Sequence, residues 1–200
     1  MTGRILQERR PKQPRRAPAT DDMVFPPGAT SRAERSARHI GGLYAVTPDI
    51  ADTDNLLAKV GAVLEGGCRL VQYRNKAADA GLSLEQAVAI RSLTRQFDAT
   101  LVINDHLSLA LQVGADGVHL GRDDADHQGI CDARTAARHH AGFMIGASCY
   151  NQLPLAELAV QAGADYIAFG SMFNSGTKPE AVAATPSLLS LAKSRFNLPI

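Results

Sequence analysis

"TLVINDHLSLALQVGADGVHL", Thr100 to Leu120, lays out one whole unit of the fold. The β-branched run TLVIN reads as a strand, and the polar residues Asn104 and Asp105 end it. DHLSLALQ then reads as a helix, Gly114 stops it, and Ala115 and Asp116 turn the chain into a second strand, GVHL. Two strands separated by one helix pair in parallel, because the crossover returns the chain to the end from which it started.

Working outward, the same alternation fills the chain from Leu43. The runs LYAVT, RLVQYR, FMIGAS and YIAFGS join the first two as strand candidates, with starts near residues 43, 69, 100, 117, 143 and 165. Between them DNLLAKVGAVLEGG, SLEQAVAIRSLTRQF and LPLAELAVQAGA place apolar residues at i, i+3, i+4 and i+7, the spacing of amphipathic helices. Apolar strands joined by helices predict an α/β fold with a parallel sheet covered by helices. An open doubly wound sheet and a (β/α)8 TIM-type barrel both satisfy that pattern. No G-x-G-x-x-G follows the first strand and no G-x-x-x-x-G-K-[ST] occurs anywhere, so the usual marks of open-sheet nucleotide binders are missing. The echo of GADGVHL (114–120) in GADYIAF (163–169) shows equivalent units repeating, which favours the barrel. LPI at 198–200 reads as the start of a seventh strand. A complete barrel takes upwards of roughly 200 residues. Residues 41–200 are therefore expected to form a barrel domain truncated after six βα units. Open strand edges on such a domain would invite pairing, so a homo-oligomer is compatible with it.

Composition narrows the function classes. The 200 residues are 45% apolar and 20% charged, ordinary for a globular chain, and no apolar run approaches the roughly 20 residues of a membrane helix. The N-terminus has no secretory signal pattern, which leaves the cytoplasm as the expected compartment. Net charge is +1, yet residues 1–40 carry nine Lys/Arg against four Asp/Glu, and 41–200 carry twelve against sixteen. The Pro- and Arg-rich extension lacks a hydrophobic period and reads as disordered, with SRAERSARHI at its end a short helix. Basic residues without interleaved aromatics do not make a nucleic-acid site, so no nucleic-acid partner is expected. Cys68, Cys131 and Cys149 lie far apart with no zinc spacing and read as reduced thiols, and the histidines, His139 and His140 included, form no ligand motif.

In a barrel the active site lies at the C-terminal strand ends. The second strand runs out in LVQYRNK, whose alternation puts Gln72, Arg74 and Lys76 on one face. The third ends in Asn104 and Asp105, the fourth in HLGRDD with Asp123 and Asp124, the fifth in Ser148, and the sixth in GSMFNSGTK with Ser175, Thr177 and Lys178. Each has a plainer reading. Asp105, Asp123 and Asp124 could cap helices, Ser148 and the Ser175 to Thr177 stretch could be turns, Arg74 and Lys76 could be a solvated strand end, and His119 could be a satisfied core histidine. Convergence on one mouth is what those readings leave unexplained. Arg and Lys supply fixed positive charge for phosphate, and the backbone and hydroxyls of a Ser-Gly-Thr turn add anion donors. Carboxylates in such a site need a hard cation beside the phosphate, so Asp105 and Asp124 read as Mg²⁺ ligands.

These residues resemble the thiamine phosphate synthases. The resemblance runs from about Gly42 to Ile200 through LYAVTP, GGCRLVQYRNK, INDHLSLALQVGADGVHLGRDD, IGASCYN and GADYIAFGSMFNSGTKP, in order. It implies a (β/α)8 barrel that joins a hydroxymethylpyrimidine diphosphate to a thiazole phosphate and releases diphosphate. By the same resemblance Gln72, Arg74, Lys76, Asn104, Ser148 and Lys178 grip the pyrimidine diphosphate, with Arg74, Lys76 and Lys178 stabilising the leaving group. Asp105 and Asp124 match the Mg²⁺ ligands, and Ser175 and Thr177 the hydroxyl pair that meets the thiazole phosphate. Asn75, Arg122 and Ser175 differ from the residues the family usually carries there. Two other readings are a thiazole tautomerase-like paralogue, against which Asp105, Asp124 and Lys178 weigh, and a non-catalytic phosphate-binding remnant.

Overall fold

A computed structural model describes residues 40–121, 124–173 and 183–200. The expected N-terminal extension lies outside these apart from Ile40, as do Arg122, Asp123, Ser175, Thr177 and Lys178. The elements run β1 (Tyr44–Val46), α1 (Thr53–Glu65), β2 (Leu70–Tyr73), α2 (Ala80–Gln96), β3 (Thr100–Asn104), α3 (Leu107–Val113) and β4 (Gly117–Leu120). There follow α4 (His127–Ala136), β5 (Met144–Tyr150), α5 (Leu153–Ala162), β6 (Tyr166–Phe169) and α6 (Pro186–Arg195). The six strands pair in parallel in their chain order, β1 to β6, so each helix returns the chain to the next position on the same sheet.

Alternation divides every strand between two environments. Val71, Tyr73, Leu101, Ile103, Val118, Leu120, Ile145, Ala147, Cys149 and Ile167 face the helices and form one buried cluster with Leu56, Leu64, Ile90, Ile130 and Ala156. The opposite parity, aligned by register as Asn104, His119, Gly146 and Tyr166, faces the concave interior. The sheet curls far enough that the hydroxyls of Tyr44 on β1 and Tyr166 on β6 meet at 2.8 Å, although their strands do not pair. The fold is thus a curled half-barrel. Its β1 edge leaves Leu43 and Val46 exposed.

Where LPI was expected to begin a seventh strand, the structure has a single rung. Ile167 donates its backbone N–H to the Pro199 carbonyl at 3.2 Å, and Leu198 and Ile200 pack against the core. Proline has no N–H to return, so that residue cannot extend the ladder in the usual way.

The GAD echo has a structural meaning. Asp116 accepts two hydrogen bonds from the guanidinium of Arg91 on α2, at 2.7 and 3.0 Å, and a third from the Leu101 N–H of β3. Asp165 repeats this one unit pair later, accepting from Arg134 on α4 and from the Ile145 N–H of β5. In both units the preceding helix ends at a glycine in the left-handed conformation, Gly114 or Gly163. Each motif therefore ties a strand start to the neighbouring strand and to an earlier helix, through charge-assisted bonds at the end of the sheet opposite the mouth.

Candidate active site

The mouth begins at the end of β2. Thr47, buried at the end of β1, donates its hydroxyl to the Arg74 carbonyl and accepts from the Arg74 N–H, both at 2.8 Å. This clasp holds the backbone as it leaves the sheet. Beyond it the alternation persists: Gln72 turns into the concave side and donates to Asn104 at 2.6 Å. Asn75 turns the other way, donating to the Ile50 carbonyl and to Gln86 of α2. An acid could not donate either bond, so the Asn at this position is explained by its partners.

From Gln72 the polar groups continue as a row. Asn104 donates to Asp105 at 2.7 Å, and the Lys76 ammonium stands 3.9 Å from the same carboxylate oxygen. Arg74 pairs with Asp49 at 3.0 Å, and Asp49 also accepts from the Lys76 backbone N–H. Arg74, Lys76, Asn104 and Asp105 line one pocket of about 230 Å³.

Asp105 does not cap α3. The cap position belongs to His106, with no side-chain capping bond, and Asp105 sits at φ 60°, in the left-handed region where a non-glycine residue is strained. Its carboxylate instead accepts from the Gly121 N–H at 2.9 Å, across the β3–β4 boundary. A Cβ at position 121 would meet that carboxylate oxygen at 3.0 Å, so the glycine permits the approach. Asp124 does not cap α4 either, because Asp126 accepts from Gly129 and does so. Asp124 is exposed on the turn after β4, its N–H bonded to the Gly121 carbonyl at 3.3 Å. The two acids are thereby organised about one residue, Gly121. Among the described residues each Asp105 oxygen accepts one hydrogen bond and keeps a free lone pair. A carboxylate with spare lone pairs suits Mg²⁺, which binds through one or two carboxylates and keeps most of its ligands as water and phosphate. Among the described residues no group of three or more His, Cys, Asp and Glu forms a closed metal cage.

Ser148 is no turn residue but an inward residue of β5, beside a register shift between Ser148 and Tyr150. Bulges of this kind re-aim side chains near active sites. Its hydroxyl lies 2.9 Å from His119 Nε2, while His119 Nδ1 lies 2.9 Å from the Tyr166 hydroxyl. His119 is a buried, satisfied histidine, and burial lowers its pKa to about 4, against a smaller opposing pull from Asp105. The Tyr166 ring lies over Gly146, where a Cβ would come within 2.0 Å of the ring.

Of the residues singled out from sequence, Gln72, Arg74, Lys76, Asn104 and Asp105 come together. Ser148 joins through the interior, Asp124 lies on the turn after β4 and is linked to Asp105 only through Gly121, and Lys178, Ser175 and Thr177 lie outside the described residues. Missed were Tyr44, Thr47, Asp49, Gly121 and Tyr166. For the tyrosines, strand parity was the available signal, since Tyr166 shares its register row with His119 and Asn104.

A family model described as thiamine monophosphate synthase matches residues 43–200. The chain belongs to that family. The thiamine-phosphate synthase of Nitrosospira multiformis is 50% identical over 163 residues, covering 82% of this chain and 68% of the relative. That of Bordetella bronchiseptica is 48% identical over 162 residues, covering 81% and 72%. Among solved structures, the thiamine phosphate pyrophosphorylase of Pyrococcus furiosus superposes with a TM-score of 0.69 at 32% identity, covering 82% of this chain and 74% of that one. The chain is accordingly a transferase of thiamine biosynthesis, a thiamine phosphate synthase by family. No helix among the described residues is long and apolar enough to cross a membrane.

Proposed function

We propose that the mouth of the half-barrel binds hydroxymethylpyrimidine diphosphate with Mg²⁺ and couples it to a thiazole phosphate, releasing diphosphate and forming thiamine phosphate. The observation that carries this reading is the continuous polar row Gln72, Asn104, Asp105 and Lys76, with Arg74 on the same pocket. Arg74 and Lys76 offer cationic donors at the open end, and the reading adds Lys178, which follows β6 in the sequence. Asp105 and Asp124 hold the metal in this reading. When bound, Mg²⁺ supplies positive charge where negative charge builds on the departing diphosphate.

The chemistry needs no protein nucleophile. Heterolysis of the C–O bond leaves a cation stabilised by the pyrimidine ring, and the electron pair departs with the diphosphate. Arg74 and Lys76 stabilise that charge from fixed positions, at no reorganisation cost during the step, and the reading gives Lys178 the same role. The thiazole nitrogen then attacks the cation, and holding it close supplies much of the remaining rate. Ser175 and Thr177 take the thiazole phosphate in this reading. The cytoplasm is the compartment it takes, in keeping with three free cysteines.

Diphosphate release from the pyrimidine substrate, measured with and without Mg²⁺, tests the assignment. Metal-dependent release that falls in Asp124→Ala is expected. Metal-independent turnover, or an undiminished rate in Asp124→Ala, overturns it.

A further inference from the structure

Across the concave interior Tyr44, Tyr166, His119 and Ser148 form an unbroken file of hydrogen-bonding groups, with contacts of 2.8, 2.9 and 2.9 Å. We propose that Tyr44, Tyr166 and His119 are positioning residues. They run as a one-way hydrogen-bond chain that holds the Ser148 hydroxyl as a donor toward the bound diphosphate substrate. The proposal rests on the reading of Ser148 as a ligand contact and adds how its hydroxyl is aimed.

The direction follows from counting protons. His119 is buried and its two ring nitrogens meet only hydroxyls, so the imidazole is neutral, with one N–H and one bare nitrogen. Three hydroxyls and that N–H supply one hydrogen more than the three contacts consume. The spare hydrogen must sit on Tyr44, on Tyr166 or on Ser148, because a neutral ring cannot accept at both nitrogens. Tyr166 is buried, and burial raises the pKa of both phenols well above the ordinary range. Among the described residues Tyr44 has no hydroxyl partner but Tyr166, and Tyr166 none beyond Tyr44 and His119. A spare hydrogen on Tyr166 would be a buried donor without an acceptor, and one on Tyr44 would sit on a largely desolvated phenol with no acceptor among the described residues. Ser148 is only half-buried and lies beside the strand ends. The chain therefore runs from Tyr44 to Tyr166, from Tyr166 to His119 Nδ1, and from His119 Nε2–H to Ser148. The Ser148 hydrogen is left for the ligand. Gly146 leaves the room in which the Tyr166 ring makes this reach.

Nitrogen-15 spectra of histidine-labelled protein test the direction directly. His119, assigned by the signals lost in His119→Asn, is expected as the Nε2–H tautomer with a bare Nδ1. An Nδ1–H tautomer overturns the proposal whether or not the chain turns substrate over. Tyr166→Phe removes the donor to Nδ1 and keeps the ring, so it should move the tautomer population towards Nδ1–H. In diphosphate release the same variant should lower kcat/KM about tenfold, the worth of one hydrogen bond to a charged group. In a Ser148→Ala background it should lower kcat/KM no further, because the donor it aims has gone. Additive losses overturn the positioning role. An unchanged kcat/KM in Ser148→Ala removes Ser148 from the ligand, and so sinks the site reading separately from the tautomer result.

Discussion

The two ends of the same sheet carry similar charged groups and use them in opposite ways. At the strand starts, Asp116 and Asp165 are each satisfied by an arginine and a backbone N–H, and Asp165 is 5% exposed. At the strand ends, Asp105 keeps free lone pairs, Lys76 stands beyond hydrogen-bond range of it, and both line an open pocket. Charges whose valences are filled by their own fold can only hold it together. Charges left partly unfilled at a mouth are available to a ligand, which is why barrel activity gathers at that end.

The largest test of this contrast is Asp165→Ala. It leaves the Arg134 charge without its carboxylate and frees the Ile145 N–H, so a loss of about 3–5 kcal/mol in urea unfolding is expected. The protein that remains folded should keep its kcat/KM. Asp105→Asn should do the reverse, lowering diphosphate release by about 100-fold as a charge at the reacting end is lost. Its melting temperature should fall only slightly, because Asn tolerates φ 60° at least as well as Asp and keeps one of the two accepted bonds, to Gly121, while losing that from Asn104. A large stability loss there, with activity retained, would erase the distinction between the two ends.

The interior between the ends should show in pH dependence. His119 has a folded pKa of about 4, below its ordinary 6.5 because burial opposes the charge, so the unfolded chain binds the extra proton first. Stability should therefore be full above about pH 6.5 and decline as pH falls towards 4, by on the order of 2–3 kcal/mol from this group. The matching slope of unfolding free energy against pH should flatten in His119→Gln. A slope identical to wild type would show that the imidazole is not held neutral. The smallest effect is expected from Asp116→Ala. Its carboxylate side chain is 36% exposed, so water relieves part of the loss, and about 1–2 kcal/mol is expected by urea unfolding.

Much of the molecule was legible from residue order. TLVIN and GVHL appear as the strands β3 and β4 with the bounds their patterns imply, and the three amphipathic stretches form α1, α2 and α5. Periodicity is a local property, and so it survives without knowledge of neighbours. Capping was less legible. An acid at a strand end has the right chemistry to cap the next helix, and only the position of Gly121 diverts Asp105 to another partner.

What the sequence determined by itself was the parallel α/β class, the repeat, and the set of polar residues that strand ends carry to one side. Those follow from alternation and helical spacing, which act over a few residues. Tertiary structure alone decided which polar groups complete one another: Thr47 with Arg74, Asn75 with Gln86, Gly121 with Asp105, and Tyr44 with Tyr166. The last pair is separated by 122 positions and joined only by the curl of the sheet. Curvature accumulates over six strands, so no local pattern records it.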